Sequence, residues 1–126
     1  MQEIPLYKDT RFYIYVYMDP RKEGPFQYGD ITLPYEPFYL GKGTKYRHLE
    51  HLYESKLKNG QQSPKVAKIR KLQKLNLEPI IEIVRYFDIE EDALEFEKEM
   101  IKEIGSNFTE EVKDGPLVNL VLNVVP

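Results

Sequence analysis

At 126 residues, 41 % of them hydrophobic and 31 % charged, the chain has enough apolar material for one core and predicts a single domain. The absence of cysteine excludes disulfides and thiolate-held zinc, and no run approaches the roughly 20 apolar residues of a bilayer-spanning helix. The net charge of −3 hides a division along the chain: residues 1–41 carry −2, residues 42–74 carry +8 from ten Lys/Arg against two Glu, and residues 75–126 carry −9 from four against thirteen.

The basic middle third is where a polyanion would land, although a solvated basic helix pair explains the same run. The first ten residues, MQEIPLYKDT, lack the basic-then-apolar order of a signal peptide. With no cysteine, they predict a cytoplasmic, intracellular protein. Residues 12–18, FYIYVYM, are aromatic and β-branched and read as a strand. Its period of two puts Tyr13, Tyr15 and Tyr17 on one face and Phe12, Ile14, Val16 and Met18 on the other. Residues 19–30, DPRKEGPFQYGD, hold two Pro and two Gly and read as a turn-rich excursion. Residues 36–41, EPFYLG, form a second strand, paired antiparallel with the first.

A helix over 46–58 follows, with Leu49, Leu52, Tyr53 and Leu57 as its apolar stripe, and NGQQSP breaks it. Ser63 is a candidate N-cap with Pro64 at the first helical position. The next helix runs to about residue 75, with Val66, Ile69, Leu72 and Leu75 inward. Residues 78–87, EPIIEIVRYF, form a third strand. Asp88 is placed to cap a helix over 90–104, which Gly105 stops. A loop and a short apolar tail, LVNLVLNVVP, complete the chain, with room for a fourth small element. The order β-β-α-α-β-α predicts an α+β fold: a small, mainly antiparallel sheet flanked by about three helices.

The last helix contains an anomaly. On a wheel of about 100° per residue, Ala93, Phe96, Met100, Ile101 and Ile104 form one apolar stripe. Glu97 falls within it, away from Glu95, Lys98, Glu99 and Lys102. A carboxylate facing a core is costly unless it is paired, protonated or bound to a metal. A buried Glu bonded to a Tyr or Arg, or one reaching water at the stripe's edge, accounts for it structurally. With the tyrosine face and the basic segment, the same Glu supplies the parts of a phosphodiester site: a carboxylate for Mg²⁺, cations for phosphate, and phenols near a water.

Gly41-Lys42-Gly43 has neither the P-loop spacing nor the three-glycine dinucleotide pattern. A chain leaving a strand explains the glycines by positive φ or by close packing. In context, however, the chain resembles the GIY-YIG nuclease family. Its first motif matches Tyr15-Val16-Tyr17 and its second Tyr39-Leu40-Gly41. The block "YVYMDPR…YEPFYLGKGTKYRHLEH" resembles one branch of that family closely. The resemblance runs from about Phe12 to Leu120. It implies Arg47 as the helical arginine, His51 as the histidine one turn on, Glu97 in "ALEFEKEMIKEIG" as the metal-binding glutamate, and Asn119 in "GPLVNL" as the late asparagine. Two features depart from the pattern: Tyr15 stands where the family often has Gly, and the chain continues as "VLNVVP" where relatives tend to carry a Gly-rich segment. Many family members carry a separate DNA-recognition domain, for which this sequence leaves no room, so sequence specificity is expected to be low, to be supplied by residues 19–35, or to be supplied by a partner.

The resemblance implies a DNA endonuclease that leaves 5′-phosphate and 3′-hydroxyl ends. Glu97 is expected to hold one Mg²⁺ or Mn²⁺ ion, Tyr17 to orient or deprotonate the attacking water, Tyr39 to donate a hydrogen bond, and Arg47 to neutralise the transition state. A phenol of pKa near 10 needs a nearby cation for the base role, and Lys42 is the candidate. His51 is expected to contact phosphate or relay a proton. His48, three residues earlier, has no third ligand and is assigned no zinc. Lys42, Lys45, Arg47, Lys65, Lys68, Arg70 and Lys71 are the expected DNA contacts. One site nicks one strand, so double-strand cleavage requires a homodimer or two binding events. A non-catalytic nucleic-acid-binding module and a protein-interaction domain using the acidic last third are the rival readings.

Overall fold

The computed structural model describes residues 11–56, 64–105 and 116–118. Its elements are β1 (Phe12–Tyr28), β2 (Ile31–Gly43), a 3₁₀ turn (Arg47–Leu49), α1 (Glu50–Ser55), α2 (Pro64–Lys74), β3 (Ile80–Phe87) and α3 (Glu90–Ile104). The strands form one sheet in the order β2-β1-β3, antiparallel throughout. The α+β class and the antiparallel sheet follow the sequence reading. Among the described residues no helix is long and apolar enough to cross a membrane.

The central strand divides the molecule. Ile14, Val16 and Met18 pack with Leu33, Leu40, Ala93, Met100, Ile104 and Leu117, so α3 covers that face. Tyr13, Tyr15 and Tyr17 pack with Phe38, Ile69 and Leu72 under α2. All six residues from Tyr13 to Met18 are buried. The phenol row is thus an inner surface, roofed by the basic segment.

Several boundaries differ from expectation for local reasons. Residues 19–28 are not a turn-rich excursion but the second half of β1, joined to β2 through Gly29, at φ +61°, and Asp30. Pro20 and Pro25 fall where the pairing register breaks, between Asp19 and Glu23 and between Glu23 and Phe26. Bulges are the places a strand tolerates proline. The bent hairpin returns across the α3 face. Ile31 and Leu33 join the cluster around Ile14, and Asp30 Oδ2 lies 2.8 Å from Arg85 Nη2 on β3. The hairpin therefore closes the core on the face opposite the tyrosines.

Asp19 fixes the first bulge. Its carboxylate accepts the Arg21 backbone N–H at 2.9 Å, Arg21 Nε at 3.0 Å and Nη2 at 2.8 Å, and pairs with Lys68 Nζ of α2 at 3.2 Å. Burial opposes its ionisation, but these donors hold its carboxyl well below the usual carboxylate range. The "DPR" of the sequence block is a structural clamp.

The first helical segment is shorter than predicted. It begins as the 3₁₀ turn and continues as α1, with Tyr53 exposed and His51 and Ser55 buried instead. Pro64 opens α2 as expected; Ser63, Leu57 and Lys58 lie outside the described residues. Helix α2 ends at Lys74, and Asn76 turns the chain at φ +61°, leaving Leu75 exposed. The N-cap of α3 is Ile89, without a side-chain bond, rather than Asp88. Gly105 ends α3 at φ +94°, and its N–H reaches the Ile101 carbonyl at 2.8 Å.

Candidate active site

Cross-strand register builds the first half of the site. Tyr17 faces Tyr39 and Tyr15 faces Gly41, so these side chains share the face that α1 and α2 cover. Helix α1 then lowers His51 into the group. Its imidazole lies 5.0 Å from the Tyr39 ring, 6.0 Å from Tyr17 and 6.2 Å from Tyr15, centroid to centroid. The Tyr15 hydroxyl is 3.0 Å from His51 Nε2 and also hydrogen-bonds the side chain of Tyr39. Burial pushes His51 down to about 4, aided by the charges of Lys65 and Arg47 and opposed by Glu50. The imidazole is therefore neutral at pH 7. Burial and the neighbouring Tyr39 push the Tyr15 phenol above its ordinary value, so it stays protonated.

The two glycines of Gly41-Lys42-Gly43 serve close packing, not positive φ. A Cβ on Gly41 would lie 2.6 Å from both Cζ and Oη of Tyr15, and one on Gly43 would lie 2.6 Å from Cβ and Cγ of Arg47. Gly41→Ala is expected to cost about 2–3 kcal/mol by overpacking and to break the Tyr15–His51 bond. Urea denaturation measures it; a variant of wild-type stability would show that the Tyr15 ring can yield.

Tyr17 is fully buried, and its hydroxyl donates to the His48 carbonyl at 2.7 Å, which ties β1 to the 3₁₀ turn. Tyr13 acts alongside it: its hydroxyl donates to the Lys45 carbonyl at 2.8 Å and accepts the His48 N–H at 3.0 Å. His48, 2.8 Å from the same hydroxyl through Nδ1, is held in this turn, and burial lowers its pKa.

Lys42 is not the cation beside Tyr17. It pairs with Ile14 in the register and so belongs to the α3 face. There its Nζ lies 2.8 Å from Glu90 Oε2. Glu97, two helical turns beyond Glu90, is half-buried. Burial raises its pKa, and the charge and backbone N–H of Lys42 pull it back. Among the described residues, cations on the tyrosine face include Lys65, whose Nζ sits 5.0 Å over the Tyr39 ring, Lys68, 5.7 Å over the Phe38 ring, and Arg47. Arg47 is exposed and forms a 2.7 Å ion pair with Glu50. A depression of about 230 Å³ at the end of β2, lined by Phe12, Lys42, Gly43, Thr44, Arg47 and Glu90, brings the two sides together.

The expected DNA contacts divide similarly. Lys68 is committed to Asp19, and Arg70 Nε donates to the Ser55 carbonyl at 3.0 Å. Lys45 and Lys71 are exposed. A second depression, about 470 Å³, is lined by Ala67, Arg70, Lys71 and Lys74 at one-face helical spacing. Asn119 lies outside the described residues; Val118 before it donates its N–H to the Phe38 carbonyl at 2.7 Å, one residue from Tyr39. The sequence reading placed Tyr15 on the phenol face but not its partner His51, and did not single out Glu90, which lines the depression and pairs with Lys42.

Among the described residues no group of three or more His, Asp or Glu converges as a metal cage. The donors present suit a different mode. Glu97 is a half-buried carboxylate beside Lys42, which itself lines the depression, and a single carboxylate of that kind suits an ion that keeps several waters and takes its other ligands from substrate phosphate. The residues fit Mg²⁺ in that sense.

No curated protein and no solved structure matches the chain significantly. A family model does match, that of the LEM-3-like GIY-YIG domain, over residues 12–124. That span contains both tyrosine motifs, Arg47, His51 and Glu97, and the three-stranded antiparallel sheet with its helices agrees with it. The chain belongs to the LEM-3-like GIY-YIG domain family, a family of nucleases.

Proposed function

We propose that this chain is a divalent-metal-dependent DNA endonuclease that leaves 5′-phosphate and 3′-hydroxyl ends. One observation carries the reading: Lys42 and Arg47 line a single depression, with Glu97 bonded to the Lys42 N–H on one side and the Tyr39–His51 cluster within reach of the Arg47 charge on the other.

Glu97 would hold one Mg²⁺ or Mn²⁺ ion through its carboxylate. Bound there, the ion supplies Lewis-acid stabilisation of charge on the scissile phosphate and the leaving oxygen. Arg47 neutralises charge on the non-bridging oxygens, and its planar guanidinium suits two of them at once. Tyr39, partly buried, orients the attacking water, and neutral His51 is the proton acceptor of the cluster. Tyr17 holds the 3₁₀ turn that presents Arg47 and so acts by position. Lys42 positions Glu97 and Glu90. Lys45, Lys65, Lys71 and Lys74 give the backbone of the nucleic acid its positive track.

Supercoiled plasmid with Mg²⁺, and the same reaction in excess chelator, tests the reading. Nicked product in Mg²⁺ alone is expected, with linear product appearing only if two copies act together. DNA retained but uncut on plasmid and branched substrates would overturn it in favour of a non-catalytic binding module. No DNA binding would favour a protein-interaction domain.

A further inference from the structure

The depression at the end of β2 is lined by two cations, Lys42 and Arg47, and each is matched by a carboxylate of the chain's own. Lys42 Nζ lies 2.8 Å from Glu90 Oε2, and Arg47 Nη1 lies 2.7 Å from Glu50 Oε2. Both carboxylates are exposed, as is Arg47. Ion pairs that face solvent contribute little to stability, so these two are not explained as supports of the fold. Other basic residues carry no such cap. Among the described residues, Lys45, next to Thr44 of the depression wall, and Lys71 and Lys74 of α2 are exposed and enter no ion pair.

We propose that Glu50 and Glu90 are specificity-determining residues, which keep free small anions out of the depression and reserve it for a phosphate borne by a polymer. The inference rests on the nuclease reading above. A free phosphate meets two neutralised cations and has to displace a carboxylate from each. Those carboxylates belong to the same chain, so their effective concentration is one that a dilute anion does not match. A nucleic acid held by Lys45, Lys71 and Lys74 arrives with the same advantage. Its next phosphate is tethered near the depression, and one intramolecular contact replaces another. Arg47 reaches Glu50 through Nη1, whereas a phosphate engages a guanidinium through two N–H groups at once, so the exchange favours phosphate. Glu90 needs no new partner when Lys42 leaves it. It stands in the first turn of α3, where the helix N-terminus favours negative charge.

Inorganic phosphate is the probe, titrated without metal at constant ionic strength, with the amide resonances of Gly43 and Thr44 as the readout. The Glu50→Gln/Glu90→Gln variant is compared with wild type and with Glu91→Gln/Glu95→Gln. The latter removes the same charge from exposed carboxylates that, among the described residues, enter no ion pair. The uncapped variant is expected to bind phosphate roughly 3- to 30-fold more tightly than wild type, and the control to match wild type. In a Lys42→Ala background the effect of Glu90→Gln should disappear, because the coupling needs both partners. Equal tightening in the control, no saturable binding by the uncapped variant, or a Glu90→Gln effect that survives Lys42→Ala would overturn the caps. Plasmid nicking in Mg²⁺ then tests their role in specificity. Phosphate should inhibit the uncapped variant at a concentration roughly 3- to 30-fold lower than wild type, and equal inhibition of the two would sink that role. A wild-type protein that does not nick DNA overturns the nuclease reading instead, and the phosphate titration judges the caps alone.

Discussion

If the proposed function holds, Glu97→Gln is expected to abolish metal-dependent nicking, a loss of about a thousandfold or more, and to leave the fold at least as stable as wild type. The two halves of that result come from the same surroundings. Burial makes the ionised carboxylate costly, and Lys42 only partly offsets this through its charge and its N–H. Glutamine has the same shape, and its amide oxygen still accepts the Lys42 N–H, but it carries no charge to desolvate. A residue kept for stability would show the opposite pattern, with a weakened fold and unchanged chemistry. The measurement is plasmid nicking in Mg²⁺ beside a urea unfolding curve. Wild-type nicking by Glu97→Gln would remove this residue from the metal-binding role. Glu90 is the control: exposed and paired with Lys42, its substitution by Gln should change nicking far less.

The second large effect is on stability against pH. His51 titrates near 6.5 when unfolded and at about 4 when folded. Between those values the unfolded chain binds a proton that the folded chain refuses. Stability is therefore complete above about pH 6.5, falls as pH drops through the window, and levels off below about 4, a loss of about 3 kcal/mol. Urea unfolding at pH 7, 5.5 and 4 measures it. His51→Leu should remove most of the slope and leave the smaller contribution of His48, whose pKa is lowered by burial as well. Asp19 acts in a lower window. Its folded carboxyl is depressed, so its stabilisation is present above its unfolded value of 3.8 and disappears only as pH falls through the folded one. A slope unchanged in His51→Leu would show that the imidazole is hydrated.

Much of the fold was legible because it depends on periodicity. The alternation in residues 12–18 separates the two faces of β1, and the 3.6-residue stripe of α3 isolates Glu97. The extent of β1 was not legible. Pro20 and Pro25 read locally as turns, and only the partner strand and the hydrophobic return of Ile31 and Leu33 make bulges of them. The face occupied by Lys42 followed from strand register, which a single sequence does not fix. The neutrality of His51 depends on burial by residues distant in the chain, so the sequence could place the histidine near the arginine but not state its charge. The glycines were ambiguous between conformation and packing until the Tyr15 and Arg47 side chains were located.

The pleat of β1 has a consequence for how this chain tolerates change. Along Tyr13–Met18, odd positions hold the hydroxyl chemistry and even positions hold the aliphatic mortar of α3. Two vocabularies are written on alternate letters of one word. Substitutions therefore act on one vocabulary at a time, and a variant can alter reactivity while sparing the scaffold, or the reverse. A single-residue insertion or deletion exchanges the two wholesale, setting phenols against α3 and aliphatics against His51. Within this strand, length is under tighter constraint than identity.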